Sequence, residues 1–435
     1  MFWVRSLMSL IGRIVRSART HPKATFVFFC LLCSALVGGL YAYANREHRS
    51  ARRAVLEGRL DDARKHIGTA IRYLPSNTSV HLLAARIARL NGDFEDAEGH
   101  LTKCIQLDGG ATEDVQLEFL LMRAQTGEVD EVAKELLLYP DRNHPDSEMV
   151  FETISRAFMH RLRYAPAYGC LNRWVEYFPE SSKPHHYRGW VLERMNNADG
   201  AMKNYVKALE LNPELTHVRL RIAEMYLDDK QPAEAIPHLE LLRRQFPDRA
   251  DVKARLGQCY YLQGKHTEAR QLLEAAVIDL PDDTPLLLHL GKLDLHDDRA
   301  AKSEEWLRRA LSKDPSDTDV RNVLVSALQA QGKRTEAARE LQEFKRHKDI
   351  LDRANHLLQE EALHPSDDPK AASEVGVLLL RIGQAKQALY WLDQALTRDP
   401  AHRPTHQALA EYYESQGDKQ RAAMHRRRAQ VGSGS

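Results

Sequence analysis

Twenty histidines and five cysteines give this chain of 435 residues material for metal or nucleophilic chemistry, so their spacing decides what they can do. Cys30 and Cys33 form a C-x-x-C, the spacing of a redox pair or half a zinc site. That motif lies inside an uncharged apolar run, where a structural reading is the better one. No C-x-x-C-H occurs, which removes covalent haem attachment by this chain alone, and no H-E-x-x-H or Cys/His cluster has zinc spacing. His185-His186 and His289…His296 fall on helical segments and read as wetted surface histidines. Cys104, Cys170 and Cys259 occupy helix positions that pack as small core residues. Glycines stand singly at turns, never as G-x-G-x-x-G or G-x-x-x-x-G-K, so no loop cradles a phosphate. The expectation is a protein with no catalytic residues, no cofactor and no metal.

The segments that would position any site recur. Residues 251–281, DVKARLGQCYYLQGKHTEARQLLEAAVIDLP, place Leu256-Gly257 ahead of Tyr260 and a turn at Gly264. Ala269, Leu273, Ala276 and Pro281 then follow at fixed offsets. Steps of 34 residues recover the closing proline at Pro145, Pro179, Pro213, Pro247, Pro281 and Pro315, six of the 18 prolines in the chain. The pattern resembles the tetratricopeptide repeat, W-x2-L-G-x2-Y…A-x3-F…P, departing from it here only at Lys253 and Leu273. The resemblance implies an all-α fold, a right-handed α-solenoid of about eleven helical hairpins, because one hairpin cannot bury its apolar face alone.

Counting from the prolines places repeats one to three over 45–147, four to nine over 148–351, and ten and eleven over 369–431. Tyr139-Pro140 should cut the second helix of repeat three early. Asp349 replaces the ninth closing proline, and Pro400 lies 85 residues beyond Pro315, which is two repeats plus 17. The surplus is a charged helical insertion over 352–368. Arg426, Arg427 and Arg428 read as the solvated cap of the array, and 432–435 as a flexible tail.

Ahead of the repeats, residues 25–44 carry no charge. As a helix they reach about 30 Å, the thickness of a bilayer's hydrocarbon core, so a transmembrane helix is expected there. Ala42-Tyr43-Ala44 would serve the competing reading, a cleaved signal. The leader 1–24 sets Trp3, Leu7, Leu10, Ile11 and Ile14 against Arg5, Arg13 and Arg16, a basic amphipathic helix suited to the headgroup region. Residues 1–65 hold 12 Lys/Arg against 4 Asp/Glu and the remainder 50 against 57, so the array is mildly acidic and no nucleic-acid partner is expected. Basic residues flank the span evenly. The acid-free leader favours an array outside the cytoplasm, in a single-pass protein of a bacterial inner membrane. Ser34, Gly38 and Ala42 recur every fourth residue, a small-residue face through which two spans could pair as a homodimer.

What the resemblance implies about function is a ligand along a concave wall lined by first helices. Those positions are Glu152, Arg156 and His160 in repeat four, and His186, Trp190 and Glu193 in repeat five. Glu224, Gln258, Tyr261 and Lys292 continue the wall through repeats six to eight. A tryptophan among charges suits peptide segments or helices of other proteins. Arg156, Glu224 and Lys292 alternate in sign, which would set the direction of a bound chain. The expected function is a membrane-anchored scaffold for assembling an envelope or secretion complex. The alternative is a cleaved, secreted accessory subunit of an enzyme or polysaccharide-export complex.

Overall fold

The computed structural model describes residues 22–363 and 367–431. The leader helix expected ahead of residue 22, residues 364–366 of the insertion, and the tail 432–435 lie outside the described residues. Apart from one π turn, every regular element among the described residues is an α-helix. The chain divides into two compact units, Met1–Pro179 and Glu180–Ser435.

In the N-terminal unit, α1 (Pro22–Leu56) pairs with α2 (Leu60–Tyr73), and α3 (Thr78–Leu90) with α4 (Phe94–Asp108). Next come α5 (Glu113–Arg123), a π turn (Ala124–Glu128), α6 (Val129–Leu136) and the short α7 (Leu138–Asp141). The hairpin α8 (Ser147–His160) and α9 (Tyr164–Tyr177) completes the unit. The second helix of the third repeat is thus broken between Leu136 and Leu138, and Pro140 sits in the single turn of α7. Proline tolerates a first turn, where its missing N–H has no intrahelical partner to lose.

The C-terminal unit begins with the hairpins α10 (Ser182–Arg194) with α11 (Ala198–Leu211), and α12 (Thr216–Asp228) with α13 (Pro232–Gln245). It continues with α14 (Ala250–Leu262) and α15 (His266–Ala276), then α16 (Thr284–His296) and α17 (Ala300–Lys313). Helix α18 (Thr318–Ala330) packs on α19 (Arg334–Leu363), 30 residues long, into which the surplus sequence runs without a break. The unit closes with α20 (Lys370–Arg381), α21 (Ala385–Arg398), α22 (Arg403–Ser415) and α23 (Lys419–Val431).

The small residues of the repeat explain the hairpins. A Cβ added to Gly257 would lie 2.7 Å from the Leu273 side chain and 3.2 Å from the Ala269 carbonyl oxygen. Gly376 meets Leu392 and the Ala388 carbonyl in the same way. The glycine therefore sets how closely the two helices approach. Each turn also needs one residue in the left-handed region. Gly264 (φ 77°) and Gly332 (φ 73°) take it without strain, whereas Leu162, Asn196, Lys230 and Asp298 take it with a side chain in place.

Where the signature has tryptophan, six residues past the preceding proline, this chain often carries a polar side chain that reaches back to that proline's carbonyl. His81 Nε2 lies 3.0 Å from the Pro75 oxygen, and His406 Nε2 2.9 Å from that of Pro400. Arg219 and Arg321 donate to Pro213 and Pro315 at 2.9 and 2.7 Å. Three of these four meet a partner 19 positions later: His81 with His100 (Nδ1–Nδ1 3.0 Å), His406 with His425 (2.9 Å), and Arg321 with Glu340. A carbonyl requires Nε2–H, so Nδ1 of His81 and of His406 accepts, and the partner imidazole donates.

Core residues repeat with the helices: Ala63, Ile67 and Ala70 in α2, Leu101 in α4, Leu239 in α13, Leu273 in α15, Leu307 in α17 and Leu392 in α21 are all buried. Cys104, Cys170 and Cys259 are buried among them, and burial pushes their thiols up to about 11, 11 and 12, which keeps them unreactive. Arg426 pairs with Glu414, and Arg427 and Arg428 are exposed on the last helix.

Helix α1 runs unbroken through the apolar stretch 25–44 and into the first hairpin. Among the described residues no helix is long and apolar enough to cross a membrane. The transmembrane helix expected over 25–44 falls partly outside them, because the side chains of 25–29 and 32 are not described.

Candidate partner-binding site

In the C-terminal unit the first helices of successive hairpins lie side by side, and their polar side chains join into a ladder. The Arg221 guanidinium donates to Glu193 Oε1 from Nε at 2.9 Å and from Nη2 at 2.5 Å, and from Nη1 to Glu224 Oε2 at 3.1 Å. Arg255 takes the other Glu224 oxygen at 3.1 Å and grips Asp283 with two bonds of 3.1 and 3.0 Å. Burial works against the Arg221 charge, yet Glu193 and Glu224 beside it hold its pKa above the usual range. These fork-to-carboxylate contacts link four successive repeats, from Glu193 to Asp283.

Beside the first rung an open recess of about 490 Å³ is lined by His186, Trp190, Glu193, Arg194, Tyr205, His217, Val218 and Arg221. Its floor is aromatic. The Tyr205 hydroxyl donates to Glu193, and burial, then that carboxylate, pushes the phenol pKa up. His186 lies 4.6 Å from the His217 ring. Burial first, and His217 second, push His186 down to about 4, so it stands neutral at physiological pH. The Arg194 guanidinium sits 4.8 Å over the Trp190 ring. The recess thus offers aromatic faces and one hydrogen-bonded carboxylate, without a nucleophile placed against a base. Among the described residues no group of three or more His, Cys, Asp or Glu could hold a metal ion.

His186, Trp190 and Glu193 are therefore brought together. Glu224 lies on the ladder, and its carboxylate is taken by Arg221 and Arg255, which corrects the expectation that it stands ready to orient a bound chain. Tyr261 and Lys292 meet each other, the ammonium 6.0 Å from the ring, and Tyr261 also contacts His289 and His266. Gln258 is half-buried on α14. In the N-terminal unit Glu152 and Arg156 form an ion pair at 3.9 Å one turn apart on α8, and His160 is exposed at that helix's end.

Two histidines expected to be wetted are not. His289 is 4% exposed, donates from Nδ1 to the Pro285 carbonyl at 2.7 Å, and is pushed down to about 4, chiefly by burial. His185 is buried against Asn204. Sequence reasoning also missed Arg221, Arg255, Tyr205 and His217. The signal available was the regular interval: Arg221 and Arg255 lie one repeat apart, each on the helix face that points at the neighbouring repeat.

An all-helical chain of stacked hairpins with a proline-punctuated period defines a repeat protein of the interaction type. Family models described as tetratricopeptide repeat match residues 48–111, 186–215 and 226–293, so the chain contains tetratricopeptide repeats. No curated protein matches. Among solved structures it is similar to a human IFIT1 dimer with m7Gppp-AAAA, at 17% identity over 82% of this chain and 91% of that one, TM-score 0.39. It is also similar to MamA 41-end from Desulfovibrio magneticus RS-1, at 22% identity over 39% of this chain and 97% of that one, TM-score 0.35. Similarity at that level carries no argument about what this chain binds.

Proposed function

We propose that the chain is a membrane-anchored scaffold that captures segments of partner proteins along the first helices of its C-terminal unit. The observation that carries this reading is the recess at Trp190. It is held open by the Arg221 ladder, and it joins a large apolar ring to polar groups that can fix orientation. A rigid wall binds with less ordering cost than a mobile one, and the ladder supplies that rigidity. The reading assigns the chain no reaction.

The anchor is supported by α1. Leu31, Leu36 and Val37 are 65%, 62% and 65% exposed, and Cβ atoms added to Gly38 or Gly39 would meet nothing within 4 Å. Packing against α2 begins only at Tyr43, whose ring meets that of Tyr73 edge-on, and at the buried Ala44. An uncharged helix without protein neighbours suits hydrocarbon. Ser34, Gly38 and Ala42 are likewise exposed and provide the face for span pairing. We place the array outside the cytoplasm of a bacterial inner membrane, in the assembly of an envelope or secretion complex.

The test has two arms. Carbonate washing should leave the protein in the membrane pellet, and protease added to spheroplasts should digest the array. Capture of partners from solubilised membranes should weaken by about 2 kcal/mol in Trp190→Ala, with the melting curve unchanged. Release by carbonate refutes the anchor, and undiminished capture refutes the groove.

A further inference from the structure

A second open recess, about 520 Å³, lies on the other side of the Glu193–Arg221 pair, at the edge where the turns of the α10–α11 and α12–α13 hairpins emerge. Its walls are Met202, Met225 and Tyr226. Its rim is acidic: Glu193, Asp199, Asp228 and Asp229 face a single guanidinium, Arg221. That guanidinium is already bonded to Glu193 and Glu224 and comes no nearer to Asp228 than 3.7 Å. Asp228 is therefore poorly compensated. Burial first, opposed by Arg221 and then Arg255 and reinforced by Glu224 and Glu193, pushes its carboxyl above the usual range, although its side chain is 73% exposed. Asp229 accepts a bond from Gln231 and no ion pair.

We infer that this acidic, methionine-walled recess receives a lysine or arginine side chain of the partner segment, so that the scaffold selects basic segments. The inference rests on the proposed scaffold function and adds the partner's chemistry. Long basic side chains bury their methylene stems on apolar surface while their heads stay at the polar rim. Met202 and Met225 can adapt to such a stem. The head would find Asp228 and Asp229, whose charge the chain itself leaves largely unmatched. Like-charge juxtaposition at the same rim rejects acidic segments. Partner aromatic or aliphatic side chains fall to the neighbouring recess, where Arg194 already covers Trp190 with a cation.

The probes are fluorescein-labelled peptides of repeated Arg-Ser-Leu-Ser and repeated Glu-Ser-Leu-Ser, titrated by anisotropy against the detergent-solubilised full chain. The expected result is tighter binding of the arginine peptide by roughly tenfold, weakening as salt rises. Asp228→Asn combined with Asp229→Asn should remove most of that preference. Asp279→Asn, exposed elsewhere in the same unit, should leave it intact. Equal binding of the two peptides overturns the inference, as does a preference that survives the double substitution or falls equally in Asp279→Asn. Loss of partner capture in Trp190→Ala together with equal peptide binding would retain the scaffold and remove the basic selectivity. Unchanged capture in Trp190→Ala with the peptide preference intact would do the reverse.

Discussion

In the N-terminal unit Arg89 and Glu118 meet with both side chains 1% exposed, whereas in the C-terminal unit Arg221 and Glu193 meet with side chains 35% and 19% exposed. The inner network is closed. Glu118 accepts from Arg86 at 2.6 Å and from Arg89 at 2.7 Å, Arg86 continues to Asp146 at 2.5 Å, and Arg89 also reaches Gln125 and the Met149 sulfur. Each guanidinium nitrogen of Arg86 and Arg89 has a partner within the network, which leaves little for a ligand to take. The outer ladder uses the same side chains between the same kind of helices, but it stands between two open recesses. The difference teaches that arginine–carboxylate pairing in this chain is a way of fixing helix to helix. Only where it stays at the surface does it also shape a place for something to bind.

The largest effect that separates the two regions is expected from Glu118→Ala. Two guanidinium groups would lose their shared carboxylate, that of Arg89 fully buried, at a cost of about 3–5 kcal/mol. Hydrogen exchange should show the loss across α3 and α5. Glu193→Ala, at a partly exposed site, should cost well under half as much, and equal costs would show that the outer ladder is as closed as the inner one.

Acid should draw the next contrast. His289 sits in the C-terminal unit with a folded pKa near 4, well below its unfolded value of about 6.5. The unfolded chain therefore takes up the proton first as pH falls. The contribution of His289 is intact above about 6.5 and drains away between there and about 4, on the order of 3 kcal/mol in all. His186, also near 4, drains over the same window. Exchange protection in α16 should fall between pH 7 and 5, and His289→Gln should flatten that dependence. Protection that rises on acidification would mean that the imidazole is charged in the fold.

The smallest effect concerns a turn. Lys230 holds φ at 56°, and glycine there removes the Cβ conflict while adding freedom to the unfolded chain. Lys230→Gly should gain about 0.5 kcal/mol in urea unfolding, and a loss would mean that the lysine side chain stabilises the turn in a way its backbone conceals.

The fold was legible because its determinants are periodic. The prolines keep their interval, Gly257, Ala269 and Leu273 fit only as facing positions of a hairpin, and the missing ninth proline marks where α19 runs on to Leu363. The candidate site was legible only in part. His186, Trp190 and Glu193 share a helix face, so helical spacing was enough to group them. Tyr205 and His217 enter the same recess from other helices, and no spacing within one helix reports that. The burial of His289 was missed because a histidine on an amphipathic helix resembles a surface residue until its partner is known. That partner is a backbone carbonyl, which has no signature in the sequence. The polar residue in place of the signature tryptophan was visible at His81, Arg219, Arg321 and His406, each six residues past a proline, and its meaning is the hydrogen bond back to that proline's carbonyl.

The central claim, that partners dock beside Trp190, is tested most directly by photocrosslinking in native membranes. A benzophenone amino acid would replace Trp190 in one variant and His356, exposed on the long helix α19, in another. The account predicts adducts of discrete mass from position 190 and none from position 356. Adducts from position 356 alone would move the docking surface to the charged insertion and contradict it.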